Sequence, residues 1–348
     1  MAVRLRELDA GAAPAWDAFV HASPAASFFH LSAWAEVIRR AFRHPTHYVM
    51  AEQDGAVVGI LPLARMRTLL FGDLLASTPF CVYGGSVAAT DEAAAVLEAH
   101  ALALQRRLGV PALEFRRREA PDAGWTVRPP LYFTFRKPIR LTGDDARDMQ
   151  ANIPRKQRAE VRKAIERFGL RSVSNSDTAV LHRVYAESVR NLGSPVFPAR
   201  YFRLLAEAFP GAHDVTTVLA GETPVASVLS FHFRDEVLPY YGGGVRAARE
   251  NRANEFMYWE VMRRAGRERG ARLFDFGRSK IGTGAFDYKK NWGFEPQELP
   301  YCYRLAEGAR IPENNPNNPK YRLFIAAWKR LPVRVANVLG PPLVRGLG

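Results

Sequence analysis

The chain repeats one pattern of elements. YVMAEQDGAVVGILPLARMR from Tyr48 gives an apolar run, a turn at Asp54-Gly55 and a second apolar run, and VYGGS then ends at Ser86. From Thr217 the same order returns as TVLAGETPVASVLSFHF, followed by VLPYYGGG ending at Gly244. After each Tyr-Gly-Gly, apolar residues recur at helical spacing: Leu97, Ala101, Leu104 and Leu108 over 90–108, and Met257, Val261 and Ala265 over 254–269. Each predicted helix stops at a glycine, as a left-handed cap prefers. An apolar strand with one acid follows each, Gly109-Val-Pro-Ala-Leu-Glu-Phe115 and Gly270-Ala-Arg-Leu-Phe-Asp-Phe276.

Hairpin, strand, helix, strand, twice over, predicts two α/β domains with mixed sheets, in each of which the helix crosses between neighbouring parallel strands. A length of 348 residues suits two cores. With 47% hydrophobic and 24% charged residues, wholesale disorder is excluded. The Pro129-Pro130 region and a helix starting near Pro154 bracket a boundary at about residue 145, giving domains over 1–145 and 146–310. The remainder, 311–348, reads as an irregular PENNPNNP linker from Pro312 and a basic, aromatic tail helix. Tyr321, Phe324, Ile325, Trp328 and Leu331 stand there among Lys320, Arg322, Lys329 and Arg330, so the tail either docks on the first domain or lies on an anionic membrane.

No apolar core of signal-peptide length opens the sequence, and no run of about 20 apolar residues occurs, so the expected location is the cytoplasm or the inner face of the membrane. Cys81 and Cys302 have no metal-knuckle or CxxC spacing and read as buried thiols. His44 and His47 lack a third ligand, so no metal is expected. A charge of +14 favours polyanionic partners such as RNA, nucleotide-sugar phosphates or anionic lipid.

The order of elements resembles the GNAT fold in two tandem copies, and particular residues resemble the FemAB family of aminoacyl transferases over roughly residues 25–305. SFFHLSAW from Ser27 is similar to that family's opening Phe-x-Gln-Ser-x-x-Trp, with Leu31 where glutamine is usual and one residue fewer. IPRKQRAEVRKAIERFGLRSV from Ile153 is similar to the family's basic helix through Lys156, Arg158, Lys163, Ala164 and Gly169. LFDFGRSKIGTGAFDYKKNWGF from Leu273 resembles the element closing the catalytic domain, with Tyr288-Lys289 at its Phe-Lys pair and Trp292-Gly293 at its Phe-Gly pair. Residues 275–294 most resemble a subgroup met beside exosortase and PEP-CTERM exopolysaccharide systems.

The resemblance implies transfer of an aminoacyl or acyl group to an amine of a cell-envelope or exopolysaccharide precursor, with no cofactor beyond the donor. The donor is then aminoacyl-tRNA or acyl-CoA, and the acceptor a nucleotide-sugar or other envelope precursor. It also implies Lys289 as the cation that steadies the tetrahedral oxyanion and Tyr288 as a neighbour of the acyl donor. Independently, Pro239 inside a strand predicts a bulge or an edge; the resemblance to GNAT domains, whose corresponding strand splays to admit the donor, implies that Tyr240, Tyr241 and Gly242 line a donor cleft, while a purely structural bulge stays open. Asp275 is a candidate proton acceptor or a partner for Arg278; its counterpart Glu114 leaves an architectural role open. Arg155, Arg158 and Arg162 share a face of the basic helix, with Lys156 beside them, suited to phosphates or simply to solvent. GGGVRAARENRAN from Gly242 lacks the spaced glycines of a pyrophosphate loop, which disfavours acyl-CoA. Two alternatives stay open: an acyl-CoA-dependent N-acyltransferase on sugar amines, and a non-catalytic RNA or envelope-assembly binding protein.

Overall fold

The computed structural model describes every residue except 1, 69–70, 120–123, 313–321 and 348. In chain order the first elements are β1 (Arg4–Glu7), α1 (Ala13–Ala22), α2 (Ala33–Phe42), β2 (Thr46–Gln53), β3 (Ala56–Thr68), β4 (Gly72–Ser77), β5 (Val87–Ala88), α3 (Asp91–Leu108), β6 (Ala112–Arg116) and β7 (Thr126–Val127). Then come β8 (Tyr132–Pro138), α4 (Asp145–Asn152), α5 (Arg155–Arg162), β9 (Arg171–Asn175), α6 (Thr178–Leu192), α7 (Ala199–Ala208), β10 (His213–Ala220), β11 (Thr223–Phe233) and β12 (Glu236–Gly244). The last are α8 (Arg246–Glu250), α9 (Ala253–Arg269), β13 (Leu273–Lys280), α10 (Gly284–Asn291), β14 (Pro296–Glu298), β15 (Tyr301–Leu305), α11 (Arg322–Trp328) and α12 (Val333–Val344).

The chain divides into two units, Met1–Tyr132 with Glu298–Asn314 and Arg345–Gly348, and Phe133–Gln297 with Asn315–Val344. The first holds a sheet in the order β1-β2-β3-β4-β6-β15-β7, with β5 beside β3, and the second a sheet in the order β14-β8-β13-β12-β11-β10-β9. Both contain the expected hairpin and the expected parallel pair joined by a helix: β4 and β6 through α3, β12 and β13 through α9. The first hairpin turns on Asp54 and Gly55 at φ 53° and 80°, both in the left-handed region that a tight β-hairpin needs. Gly109 and Gly270 end α3 and α9 at φ 62° and 68°, where a Cβ would be strained.

Two details differ from the sequence reading. The third strand of the first copy is β4 at 72–77, while VYGGS is irregular and belongs to the turn that follows it. The domains also exchange a strand: β8, expected in the first domain, lies next to β13 in the second sheet, and β15, expected in the second, pairs with β6 in the first. Cys81 and Cys302 are buried free thiols.

In the second unit α5, the turn that follows it and α9 pack Val161, Ala164, Met257, Trp259, Val261 and Met262 into one cluster with Phe274, Phe276 and Trp292. Burying each large side chain is worth roughly 1.5–3 kcal/mol, so this layer fixes α10 and its side chains against β13. A separate aromatic cluster joins Tyr185 of α6 and Tyr201 and Phe202 of α7 to Tyr241.

The tail docks in two parts: α11 and α12 belong to the second unit, while the end of the chain from Arg345 belongs to the first, where His44 Nε2 lies 2.8 Å from the Arg345 carbonyl. Arg190 Nη1 donates to the Lys329 carbonyl at 3.1 Å, and Gly340 fits so closely on Val196 that a Cβ there would lie 2.8 Å from its backbone nitrogen. Lys320, Tyr321 and most of the PENNPNNP segment lie outside the described residues.

Candidate functional site

The two parallel pairs differ in how far they stay paired. In the first unit β4 and β6 pair as far as Ser77↔Phe115, close to the ends of both strands. The next carbonyl, that of Arg116, accepts from Gly84 N–H at 2.8 Å, so the Tyr-Gly-Gly segment covers the strand ends. Gly84 is compelled there, because a Cβ would lie 2.0 Å from the Ser77 oxygen. In the second unit β12 and β13 pair through Glu236↔Leu273 and Val237↔Phe274, and no further pair is formed among the described residues. Beyond those positions the strands run on for seven and six residues, to Gly244 and Lys280.

A bulge sets this divergence. Opposite β11, Leu229 pairs with Tyr241 and Ser230 with Pro239, which leaves Tyr240 as the extra residue. Proline supplies no N–H to the ladder, so the shift falls where the sequence predicts it. Tyr241 turns into the aromatic cluster, its hydroxyl 2.8 Å from that of Tyr201, and so forms a wall behind the strand. Gly242, Gly243 and Gly244 are demanded by packing: added Cβ atoms would meet Val228 at 2.7 Å, Ser188 Oγ at 2.2 Å and the Ala248 Cβ at 2.4 Å.

On β13, Asp275 is fully buried. Its Oδ1 accepts from Gly277 N–H at 2.7 Å, and its Oδ2 lies 3.3 Å from Arg136 Nε. Arg136 also pairs with Glu236. Gly277 has φ 65°, so the carboxylate ties down a left-handed turn in the strand. The Lys289 Nζ of α10 donates to the carbonyls of Gly277 and Arg278, 3.0 Å each. It lies 5.3 Å from the Phe135 ring centroid and 5.7 Å from that of Phe276. Burial pushes the amine down to about 7, with Asp275 opposing that shift and Arg278 adding to it. Lys289 is therefore divided between its charged and neutral forms near neutrality, a property seen at sites that move protons as well as in buried structural networks.

Tyr288 packs its ring tilted against Tyr258 and Trp292 and edge-on against Phe276, and burial drives its hydroxyl well above its ordinary value, helped by the charge of Glu255. Glu255, in the first turn of α9, has its own value raised by burial. Sequence reasoning missed it. It sits in a stretch whose helical period drew attention to apolar positions; helical spacing places it beside Tyr258, and only the fold brings it near Tyr288.

The basic helix forms as α5, begins after Pro154 and continues as a π-helical turn over Lys163–Arg167 before Gly169. Arg158 is spent on the Ile153 carbonyl at 2.9 Å, whereas Arg155, Lys156 and Arg162 are exposed. Glu160 pairs with Lys163 at 2.8 Å and with Arg252 at 2.7 Å. The loop after β12, where a donor pyrophosphate would bind in a GNAT domain, folds as α8. Several of its N–H groups are engaged: Val245 bonds Val225 O, Arg246 the Glu187 side chain, Ala248 bonds Val245 O, Asn251 bonds Ala247 O, and Ala253 bonds the Asn251 side chain.

In the first unit the acid that corresponds to Asp275 is also paired. Glu114 accepts from Arg116 Nε at 2.8 Å and from the Tyr303 hydroxyl at 2.5 Å. None of the candidate catalytic or substrate-binding residues lines a cavity of about 550 Å³ in that unit, which is bordered by Tyr48, His47, His100 and Arg107. His47 lies on β2. Among the described residues no group of three His, Cys, Asp or Glu side chains is arranged to hold a metal.

Residues 148–290, which contain α5, β13 and Lys289, match the model of the acetyltransferase (GNAT) domain. The second unit carries a GNAT domain. The chain is thereby an acyltransferase in class. No curated protein matches the sequence. Among solved structures it is similar to FemX, with a TM-score of 0.67 at 16% identity over 92% of this chain and 100% of that one. It is also similar to a tandem GNAT protein from the clavulanic acid biosynthesis pathway (TM-score 0.56, 13% identity, 88% and 100% covered). The C-terminal domain of a putative lysylphosphatidylglycerol synthetase from Agrobacterium fabrum gives 0.55 at 13% identity, covering 85% and 93%. At these identities the likeness is one of fold, and it supports two GNAT-like units in tandem.

Proposed function

We propose that this acyltransferase moves an aminoacyl group from aminoacyl-tRNA to an amine of a cell-envelope or exopolysaccharide precursor. The observation that carries the reading is Lys289 of α10, an amine poised near neutrality against carbonyls of the stretch of β13 that has parted from β12. In the reaction the neutral acceptor nitrogen attacks the ester carbonyl carbon. The new C–N bond forms, the C–O bond to the ribose breaks, and the oxyanion in between is steadied by the Lys289 ammonium. The proton lost by nitrogen goes to Glu255, and Lys289 gives one to the departing ribose oxygen, for which a value near 7 is well matched. Asp275 acts through position, since its oxygens hold the Gly277 turn and Arg136. Tyr240, Gly242, Arg278 and Tyr288 border the donor, and Arg155, Lys156 and Arg162 meet tRNA phosphates.

The engagement of the Val245, Arg246, Ala248, Asn251 and Ala253 N–H groups by protein acceptors supports aminoacyl-tRNA over acyl-CoA, because a pyrophosphate would not find them available. An acyl-CoA-dependent transfer to sugar amines is the competing reading, and exopolysaccharide involvement rests on the resemblance of residues 275–294. The test is to supply labelled aminoacyl-tRNA with a nucleotide-sugar peptide, and acetyl-CoA with a sugar amine, in parallel. Label passing from the tRNA to the acceptor, and lost in Lys289→Ala, is the expected result. Transfer from acetyl-CoA alone would move the assignment to the sugar-amine reading, and undiminished transfer by Lys289→Ala would remove Lys289 from the chemistry.

A further inference from the structure

The tail helices are apolar on the side that faces water as well as on the side that docks. In α12 the residues Ala336, Gly340 and Val344, spaced by four, are buried. Val335, Val338 and Leu339 are 40%, 73% and 48% exposed, and they cluster roughly 150° around the helix from the buried stripe at 100° per residue. In α11, Leu323 is 84% and Phe324 42% exposed, while Trp328 is buried. A surface helix normally turns charged and polar residues outward, and contiguous exposed apolar residues with a polar rim mark interaction surfaces. The rim here has one sign. Arg322, Lys329, Arg330 and Arg334 are exposed around this face, and the sequence after Glu313 has six Lys and Arg and no Asp or Glu.

We propose that α11 and α12 form an in-plane anchor for an anionic lipid surface, with Leu323, Val335, Val338 and Leu339 entering the headgroup boundary and Arg322, Lys329, Arg330 and Arg334 on lipid phosphates. Docking and membrane contact are then simultaneous, through two different stripes of one helix. An apolar face framed by cations alone matches an anionic bilayer in both respects. A second copy of the same face would instead set like charges against each other. The anchor does not depend on the donor or the acceptor of the transfer reaction.

The test is flotation of the full chain with vesicles of phosphatidylcholine alone or with one-third phosphatidylglycerol. Binding is expected with phosphatidylglycerol, weakening as salt rises, and falling roughly fivefold for each of the four cations replaced by glutamine. Leu323→Glu/Val338→Glu should reduce it by roughly tenfold or more. Should that variant fold poorly, Val338→Cys carrying an environment-sensitive fluorophore gives a separate readout, because Cys81 and Cys302 are buried; a blue shift on adding anionic vesicles is expected. Equal flotation of wild type and the double variant, or a fluorophore at position 338 that does not respond, would overturn the proposal. So would a monomer-dimer equilibrium abolished by the double variant without any vesicle binding.

Discussion

Lys289 offers a prediction that separates its electrostatics from its packing. Its ordinary value is 10.5 and it is held at about 7 in the folded protein, a drop of about 3.5 pH units, which corresponds to about 5 kcal/mol between the two protonation states. Between these two values the unfolded chain binds more protons at this site than the folded chain, so stability rises with pH across that window. The burden is fully present below about pH 7 and is relieved as pH approaches 10.5. Lys289→Met keeps an unbranched side chain one atom shorter and removes its titration. The carbonyls of Gly277 and Arg278 lose their partner in the variant at every pH, so that term drops out of a comparison between pH values. Urea unfolding of both proteins at pH 7 and pH 9 should show wild type gaining about 2 kcal/mol relative to the variant. A difference that stays flat from pH 7 to pH 9 would refute the claim that this amine is desolvated in the native state. In the transfer assay the same titration should lower the rate as pH rises above about 7, because the ammonium form is the one assigned to the oxyanion.

Asp275→Asn keeps an acceptor for Gly277 N–H but leaves Arg136 with Glu236 alone; thermal unfolding should report a loss of about 2 kcal/mol, and the pH profile of Lys289 should move lower, since the lost charge was raising it. Gly243→Ala drives a Cβ into Ser188 and should destabilise by about 1–3 kcal/mol; Ser188→Gly in the same chain should restore most of it, and a failure to restore would show that the backbone, not the contact, requires glycine there. Replacing Arg155, Lys156 and Arg162 with alanine should lower the slope of log affinity for tRNA against log salt by about 2 to 3, with an unchanged slope removing α5 from the phosphate contacts.

Much of this architecture was legible because its signals are local. The Asp54-Gly55 turn, the capping glycines Gly109 and Gly270, the Pro239 bulge and the Pro154 to Gly169 bounds of the basic helix each act within a few residues. What escaped was set by distance or by ambiguity. Nothing in Tyr132–Pro138 or Tyr301–Leu305 says which sheet each will join, since an apolar strand fits beside β6 or beside β13 equally well by pattern. VYGGS drew the third strand away from Gly72–Ser77 because it matched the second copy in letters, whereas the backbone covers the strand ends there instead of extending. Glu255 was hidden because a lone acid in a helical first turn usually serves the helix dipole. The tail has apolar residues on two faces, and periodicity alone does not tell which of them meets protein.

The strand exchange bears on how the protein is made. The first sheet carries β15 on the edge of β6, so residues that leave the ribosome early must wait for Tyr301–Leu305 before that edge is closed. Synthesis proceeds at about 5–20 residues per second, which leaves the edge of β6 open for roughly 10 to 40 s. During that interval it can pair with another nascent chain or recruit a chaperone. The second sheet has no such delay, because β8 is synthesised before the strands it joins. The sheet that is begun first is therefore the last to receive its final strand.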